Sequence, residues 1–244
     1  MNTLFTICKR EFSAYFSTPV AYVFILIFLV MSGVFTFYLG NFYQRGQADL
    51  LPFFNFHPWL YLFFMPAVAM GLWSQERQLG TIELLMTLPV TLWQAVLGKF
   101  LAAWFFAGLA LLLTIPLWIT VNYLGTPDNG VILASYLGSW LMAGAFIAVG
   151  SCMSALSRNQ IVAFILTVVV CFVLMLSGFP LVLDVFRGWA GEGLLDLIAS
   201  LSFLTHFEAL SRGVVDIRDL LYFVLVIVVW LVATTQVLTV KKSV

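Results

Sequence analysis

Few residues of this sequence have the type and spacing that catalysis or cofactor binding requires. Its two histidines and three cysteines are scattered, and they form neither a metal-ligand pattern nor a disulfide framework. The hydrolase patterns H-E-x-x-H and G-x-S-x-G do not occur. Gly98-Lys99 matches the end of a phosphate-binding loop, but Trp93 replaces the first glycine and Phe100 the required Ser or Thr. We therefore expect no catalytic residue, no metal and no ATP bound through that motif.

A charged segment, 74–92, combines helix-forming residues with a predicted bend. Its charged residues can face water or a partner: Glu76, Arg77 and Glu83. Gly80-Thr81 allows a bend followed by a capped helix, whose first turn contains an acid and is thereby stabilised. The segment is therefore either a surface helix that joins two spans or a docking helix for a cytoplasmic protein.

The N-terminal segment, 1–18, has the pattern of an amphipathic helix. At 100° per residue its apolar face contains Leu4, Phe5, Ile7, Cys8, Phe12, Tyr15 and Phe16, and its polar face contains Thr6, Lys9, Arg10, Ser13 and Ser17. Such a helix lies on the cytoplasmic membrane surface with its basic residues toward lipid headgroups. Glu11 falls in the middle of the apolar face. Its carboxylate either leans toward water or forms a salt bridge with a basic residue of a neighbouring cytoplasmic segment.

Residues 184–219 are too apolar for a free loop and too polar for a span. We expect helices there that dip partly into the outer leaflet. Glu208 and Arg212 are four residues apart and can pair on one helix face, and Gly213 is a natural helix stop. His206 is either a ligand or proton carrier, or a hydrogen-bonded structural histidine.

The composition predicts an all-α polytopic membrane protein. Of 244 residues, 63% are hydrophobic and 9% are charged, and the mean hydropathy is +1.07. Soluble domains contain about 25% charged residues, and so few charges cannot cover a soluble protein. Six stretches are long and apolar enough to cross a bilayer: 20–39, 59–73, 93–123, 133–156, 161–183 and 220–240. We expect one transmembrane domain over residues 1–244, in which Lys99 extends toward the membrane surface.

The distribution of basic residues predicts the orientation. With six spans both termini share one side, which collects seven basic residues: Lys9, Arg10, Arg77, Lys99, Arg158, Lys241 and Lys242. The opposite side has the remaining four. The excess of basic residues places both termini in the cytoplasm. The first apolar run is too long for a cleavable signal peptide and is expected to remain as the first span.

Two further features concern the interior of the spans. Pro66 and Pro116 predict bends in the second and third spans. The fourth span is rich in small residues, which permit close helix approach either within one subunit or between two. The spans lack the buried charges expected for proton or ion coupling, so a transporter built on them needs energy from a partner.

Together these segments resemble the permease subunits of type-2 ATP-binding-cassette (ABC) exporters. The resemblance covers essentially the whole chain and rests first on the stretch after the second span: Glu76, Arg77, Gly80, Thr81, Glu83, Leu85 and then Pro89. The stretch 202–213, with Asp216, Arg218 and Asp219 after it, is similar to the gliding-motility (Gld) permeases. The nitrous-oxide-reductase maturation permease NosY is a more distant relative.

The resemblance implies a function that composition does not. Two permeases would pair around a central path, and each would dock on a cytoplasmic ATPase dimer that binds ATP and Mg. Residues 74–92 would be the coupling helix, in which Glu76 and Arg77 fix the dock by charge and Gly80-Thr81 set its bend. The residues that would contact the ATPase or the N-terminal helix are Glu83, Leu84 and Leu85. A larger auxiliary membrane subunit is a further partner that the gliding-type subgroup implies.

The resemblance leaves the cargo and two competing functions open. A lipid, a peptide, a drug or a conformational signal all fit the same permease. The chain could also transmit ATPase-driven force without moving a solute, or it could be an intramembrane enzyme. Neither the sequence motifs nor the net charge, which is zero, points to a nucleic-acid partner.

Overall fold

A computed structural model describes residues 3–82, 90–187 and 191–242, and every regular element in these ranges is a helix. The all-α prediction is therefore confirmed for the described part of the chain. The helices are α1 (Thr3–Phe16), α2 (Pro19–Val34, continued by a π-helical turn at Phe35–Leu39), α3 (Phe42–Arg45), α4 (Leu51–Asn55), α5 (His57–Ala69), α6 (Gly71–Leu79), α7 (Leu92–Leu112), α8 (Ile115–Leu124), α9 (Asn129–Leu156), α10 (Gln160–Leu176), α11 (Pro180–Arg187), α12 (Glu192–Ser200), α13 (Phe203–Ser211) and α14 (Ile217–Lys242).

Four helical segments within the described residues are long and apolar enough to cross a membrane: Pro19–Arg45, Leu92–Leu124, Asn129–Leu156 and Ile217–Val240. They coincide with the predicted first, third, fourth and sixth spans. The consecutive helices α12 and α13 form a bent pair with an angle of 64° between them. This pair is either one broken span, additional to the four, or a re-entrant loop. By length and composition, the described residues therefore give four or five candidate spans, whereas the sequence predicted six.

The predicted second and fifth spans are shorter as helices than as apolar stretches. The second is divided between α5, which ends at Ala69, and α6, which begins at Gly71. The fifth was predicted to reach residue 183, but α10 ends at Leu176. Gly178 follows, where a Cβ atom would lie 2.7 Å from Ser202 Cβ. A larger residue at position 178 would overlap the start of α13, so glycine allows the chain to turn close to that helix. Helix α11 then begins separately at Pro180.

The predicted third span is interrupted near its C-terminal end. Helix α7 ends at Leu112, and α8 begins at Ile115 after a turn in which Thr114 Oγ1 donates to the Leu111 carbonyl at 2.6 Å. Pro116 therefore lies in the first turn of α8, where its missing N–H costs no helical hydrogen bond. Pro116 therefore marks the start of α8. The sequence predicted a bend within one continuous helix at this proline, whereas the structure has an interruption between two helices.

Helix α9 lies at the centre of the fold and packs against α5, α7, α10, α13 and α14. Its glycines allow close contact: a Cβ atom at Gly144 would lie 2.8 Å from Trp104 Nε1, and one at Gly150 would lie 2.5 Å from Ala69 Cβ. The small residues are therefore used for close packing within the chain, which is one of the two uses that the sequence left open.

Candidate functional site

A buried lysine joins three helices at one end of the fold. Lys99, in the second turn of α7, has a side chain that is only 4% exposed. Its Nζ lies 3.1 Å from Glu11 Oε2 of α1 and 2.7 Å from Glu76 Oε1 of α6. The same ammonium lies 5.5 Å from the centre of the Trp73 ring. We call Glu11, Glu76 and Lys99 the Lys99 cluster.

The helices that form this cluster are held in place by close packing. Helix α1 lies along α7, and a Cβ atom at Gly98 would be 2.7 Å from Ile7 Cγ2. Glu11 lies one turn after Ile7 in α1, and Lys99 follows Gly98 in α7. The close contact between Ile7 and Gly98 therefore brings Glu11 next to Lys99. The expectation that Lys99 extends to the membrane surface is therefore wrong. A buried ammonium is costly unless it is paired, and here two carboxylates provide the pairing.

Glu11 forms the salt bridge that the sequence left as one of two alternatives. Besides Lys99, it accepts a hydrogen bond from Arg10 Nη2 at 2.7 Å. Burial raises the pKa of the Glu11 carboxyl, but the neighbouring Lys99 and Arg10 charges outweigh burial and leave that pKa lowered. The carboxylate is therefore ionised at neutral pH, and it faces the protein although its helix lies at the surface.

The two faces of α1 follow the predicted pattern with one exception. The half-buried positions are Leu4, Ile7, Cys8, Glu11, Phe12, Tyr15 and Phe16. Lys9 and Arg10 are exposed, as expected. Phe5 was assigned to the apolar face, but it is 66% exposed because the inner face of α1 contacts α7 and leaves this ring outside the contact.

Helix α6 is tied to the end of α9. Arg77 Nη1 donates to the Ala155 carbonyl at 2.5 Å, and Trp73 Nε1 donates to Ser151 Oγ at 3.1 Å. Burial, together with the nearby charge of Arg158, lowers the pKa of the Arg77 guanidinium. The first part of the charged segment is thus fixed to the protein core and does not extend freely from it.

The bend predicted at Gly80-Thr81 is present. Gly80 has φ +72°, a left-handed conformation that favours glycine, and its N–H donates to the Glu76 carbonyl at the end of α6. Thr81 Oγ1 lies 3.4 Å from the same carbonyl. The other predicted coupling residues, Glu83, Leu84 and Leu85, lie outside the described residues.

At the opposite end of the fold, a histidine joins α13 to α14. His206 Nδ1 lies 2.6 Å from Asp219 Oδ1, and its Nε2 lies 3.0 Å from the Ser200 carbonyl. The imidazole stacks on Tyr222 with 3.9 Å between ring centres. Of the two alternatives for His206, this arrangement favours the hydrogen-bonded structural histidine. No group of three or more metal-ligating side chains occurs among the described residues.

The predicted features at the end of α13 are also observed. Glu208 and Arg212 form an exposed ion pair one turn apart. Gly213 has φ +82° and lies against Val131 of α9. Arg212 also borders a cavity of about 330 Å³ between α4, α9 and α13. Its wall is mostly apolar, with Asp49 and Asp128 also lining it.

Sequence reasoning found the elements of the Lys99 cluster but missed how they combine. Glu11, Glu76 and Lys99 were each identified, yet the contact between Glu11 and Lys99 joins residues 88 positions apart in the chain. The one signal in the sequence for this cluster was Glu11, an acidic residue in the middle of the apolar face of α1. The sequence did not predict that Ser151 and Ser154, two of the small residues of the fourth span, and Tyr15, on the apolar face of α1, would contact α5 and α6.

A family model described as ABC-2 family transporter protein matches residues 5–242, which is nearly the whole chain. The chain belongs to the ABC-2 transporter family. As a member, it is a multi-pass membrane permease subunit of an ABC transporter, whose ATPase is a separate subunit. No curated protein matches the sequence significantly. The family match covers both the Lys99 cluster and the His206 site, so each lies within the ABC-2 permease domain.

Proposed function

We propose that this ABC-2 permease couples ATP hydrolysis by a cytoplasmic ATPase dimer to the export of a substrate across the bacterial inner membrane. The ATPase, with its ATP and Mg, docks on residues 74–92, and both termini lie in the cytoplasm. The observation that carries the proposal is the Lys99 cluster, which joins the start of that segment to α1 and to a membrane-crossing helix.

The Lys99 cluster supports coupling because it resists being pulled apart. Glu76 lies four residues before the bend at Gly80, at the start of the proposed dock. If α6 moved away from α7 alone, Lys99 would lose one counter-charge inside the protein, at a cost of several kcal/mol. Movement of α6 is therefore followed by α7. Glu11 ties α1 to the same lysine, so the N-terminal helix moves with them.

The remaining parts of the proposal follow the family resemblance. A second copy or a related permease completes the transport path, and a larger auxiliary membrane subunit accompanies it in a system of the gliding-motility type. Glu83, Leu84 and Leu85 contact the ATPase or α1. Six spans, with the second divided between α5 and α6 and the fifth formed by α10 and α11, keep both termini on one side.

Charge reversal in the proposed dock tests the docking step. We expect Arg77→Glu combined with Glu83→Lys to abolish capture of the ATPase by the detergent-solubilised permease. The matched control is Glu208→Lys with Arg212→Glu, which reverses an exposed ion pair at the opposite end of the fold. Equal capture of the ATPase by both double variants would show that residues 74–92 are not the dock.

Vesicles that contain the permease and its ATPase test the export step. If the permease exports a substrate, candidate substrates should cross from the side of the vesicle membrane that carries the ATPase to the other side, and only while ATP is hydrolysed. ATP hydrolysis that never moves a lipid, peptide or drug substrate would favour the alternative in which the permease transmits force. Substrate turnover by the purified permease without the ATPase would instead favour an intramembrane enzyme.

A further inference from the structure

The break between α5 and α6 is filled by side chains from two other helices. Trp73 and Ser74 both donate their backbone N–H groups to Ser154 Oγ of α9, each at 3.0 Å. Ser154 Oγ in turn donates to the Met70 carbonyl at 2.7 Å. One hydroxyl therefore contacts the backbone of the break, at Met70, and the backbone of the first turn of α6, and Ser154 is completely buried.

The opposite side of the break is contacted by the N-terminal helix. Tyr15 of α1 donates its hydroxyl to the Val68 carbonyl at 3.3 Å, near the end of α5. A side chain inserted into the hydrogen-bond ladder of a helix is one of the few physical causes of a helix kink. Here the interruption is local, because Met70 keeps a helical conformation (φ −56°, ψ −34°) and its N–H still donates to the Pro66 carbonyl at 2.8 Å. Pro66 weakens the same region because it supplies no N–H to the preceding turn.

The two helices on either side of the break are anchored differently. Helix α6 is bonded to the last turns of α9 through Ser151, Ser154 and Ala155. Helix α5 contacts α9 along its own length, where Tyr61 and Ser139 share a hydrogen bond of 2.8 Å. A displacement of α6 therefore also displaces the end of α9. It is transmitted less directly to α5, because the helix is interrupted at residues 69–71.

We propose that residues 69–71 are a hinge, and that Ser154 and Tyr15 are positioning residues that fix its resting angle. When the ATPase moves residues 74–92, α6 and the last turns of α9 turn together relative to α5, which Tyr15 bonds to α1. Glu11 joins α1 to the Lys99 cluster on the other side of the hinge. This inference deepens the proposed function and rests on it, because the ATPase supplies the movement. Hinge residues at the ends of helices commonly absorb such changes in other proteins.

Spin-label distances in the full-length permease test the hinge without the ATPase. Labels replace the exposed residues Phe63 on α5 and Leu79 on α6, with Cys8 changed to serine. We expect one narrow distance distribution in the otherwise unaltered protein and loss of that narrow peak in Ser154→Ala. Ser151→Ala is the control, because it removes the Trp73 indole bond and leaves the hinge backbone bonded. An unchanged distribution in Ser154→Ala would overturn the proposal.

A second variant keeps the test informative if Ser154→Ala does not fold. Tyr15→Phe removes only the hydroxyl that contacts Val68, and Tyr15 is half-buried at the surface. We expect a broader distance distribution in this variant as well. A narrow, unshifted peak in Tyr15→Phe would overturn the role of α1 in the hinge.

Adding the ATPase with a non-hydrolysable ATP analogue tests the coupled movement. The distance between labels at positions 63 and 79 should shift, whereas the distance between Leu79 and the exposed Leu156, at the end of α9 that is bonded to α6, should stay constant. The reverse result would show that α6 moves with α5 and would overturn the hinge. If the ATPase does not bind at all, the proposed function fails, while the measurements on the permease alone still decide the resting hinge.

Discussion

Ile7 of α1 lies directly against Gly98 of α7, so closely that a Cβ atom at position 98 would be 2.7 Å from Ile7 Cγ2 and 3.0 Å from Ile7 Cβ. In the sequence, Gly98 and Lys99 resembled part of a phosphate-binding loop. In the structure, the glycine provides the close approach that brings the surface helix to the lysine. The pair is explained by helix packing and charge pairing.

This contact predicts that Gly98→Ala displaces α1. The added methyl group overlaps Ile7, and overpacking of this kind costs about 1–3 kcal/mol. The free energy of unfolding in detergent micelles should fall by that amount. Gly33→Ala in α2 is the control, because no atom lies within 4 Å of a Cβ atom there. Equal stability of the two variants would contradict the packing argument.

Removing the buried ammonium should destabilise the protein more strongly. Lys99→Met leaves Glu11 and Glu76 without their shared counter-charge, and breaking such a buried pair costs about 3–5 kcal/mol. The triple variant Glu11→Gln, Glu76→Gln, Lys99→Met removes all three charges and should recover most of the loss. The measurement is again the free energy of unfolding in micelles. A single variant as stable as the natural protein would show that Lys99 is solvated.

The lowered pKa of Glu11 predicts an acid-sensitive contact. A carboxyl whose pKa is lower in the folded state stabilises that state fully above its unfolded pKa, about 4.3, and loses this contribution as pH falls through the folded value. Apparent melting temperature should therefore fall below about pH 4 more steeply in the natural protein than in Glu11→Gln. Parallel curves for the two proteins would contradict the ion pair with Lys99.

Helices α12 and α13 offer a comparison between a buried and an exposed contact. His206→Phe keeps the ring that stacks on Tyr222 but loses the bond to Asp219, which costs about 1–3 kcal/mol because that buried carboxyl is left unsatisfied. It also loses the exposed bond to the Ser200 carbonyl, which water can replace. Hydrogen exchange in α12 and α13 should accelerate in this variant. Glu208→Gln removes an exposed pair worth about 0–1 kcal/mol, and exchange should change little. Equal acceleration in both would contradict a structural role for His206.

Local sequence signals were sufficient for features that depend on neighbouring residues. The helix stops at Gly80 and Gly213 follow from the freedom of glycine at positive φ, and both are observed. The Glu208–Arg212 pair follows from helical spacing alone. Composition likewise predicted the helical membrane class, which the fold and the family match support.

Features that depend on distant parts of the chain could not be predicted in the same way. Pro66 indicated a bend in the second span, but the break lies after Ala69 because Ser154 and Tyr15 bond to the backbone there. Phe5 follows the apolar period of α1, yet it is exposed because α7 covers only part of that face. The burial of Lys99 required knowledge of which two carboxylates would meet it.

The order of the Lys99 cluster along the chain has a consequence for biogenesis. Glu11 and Glu76 both precede Lys99, so ribosomal synthesis produces the two acids before the base that they neutralise. When α7 reaches the translocation machinery, its lysine can be partnered as soon as α1 and α6 are in place. A nascent chain with a misplaced N-terminal helix would instead leave Lys99 with Glu76 as its one remaining acid of the cluster, and it would uncover the face of α7 on which Ile7 packs.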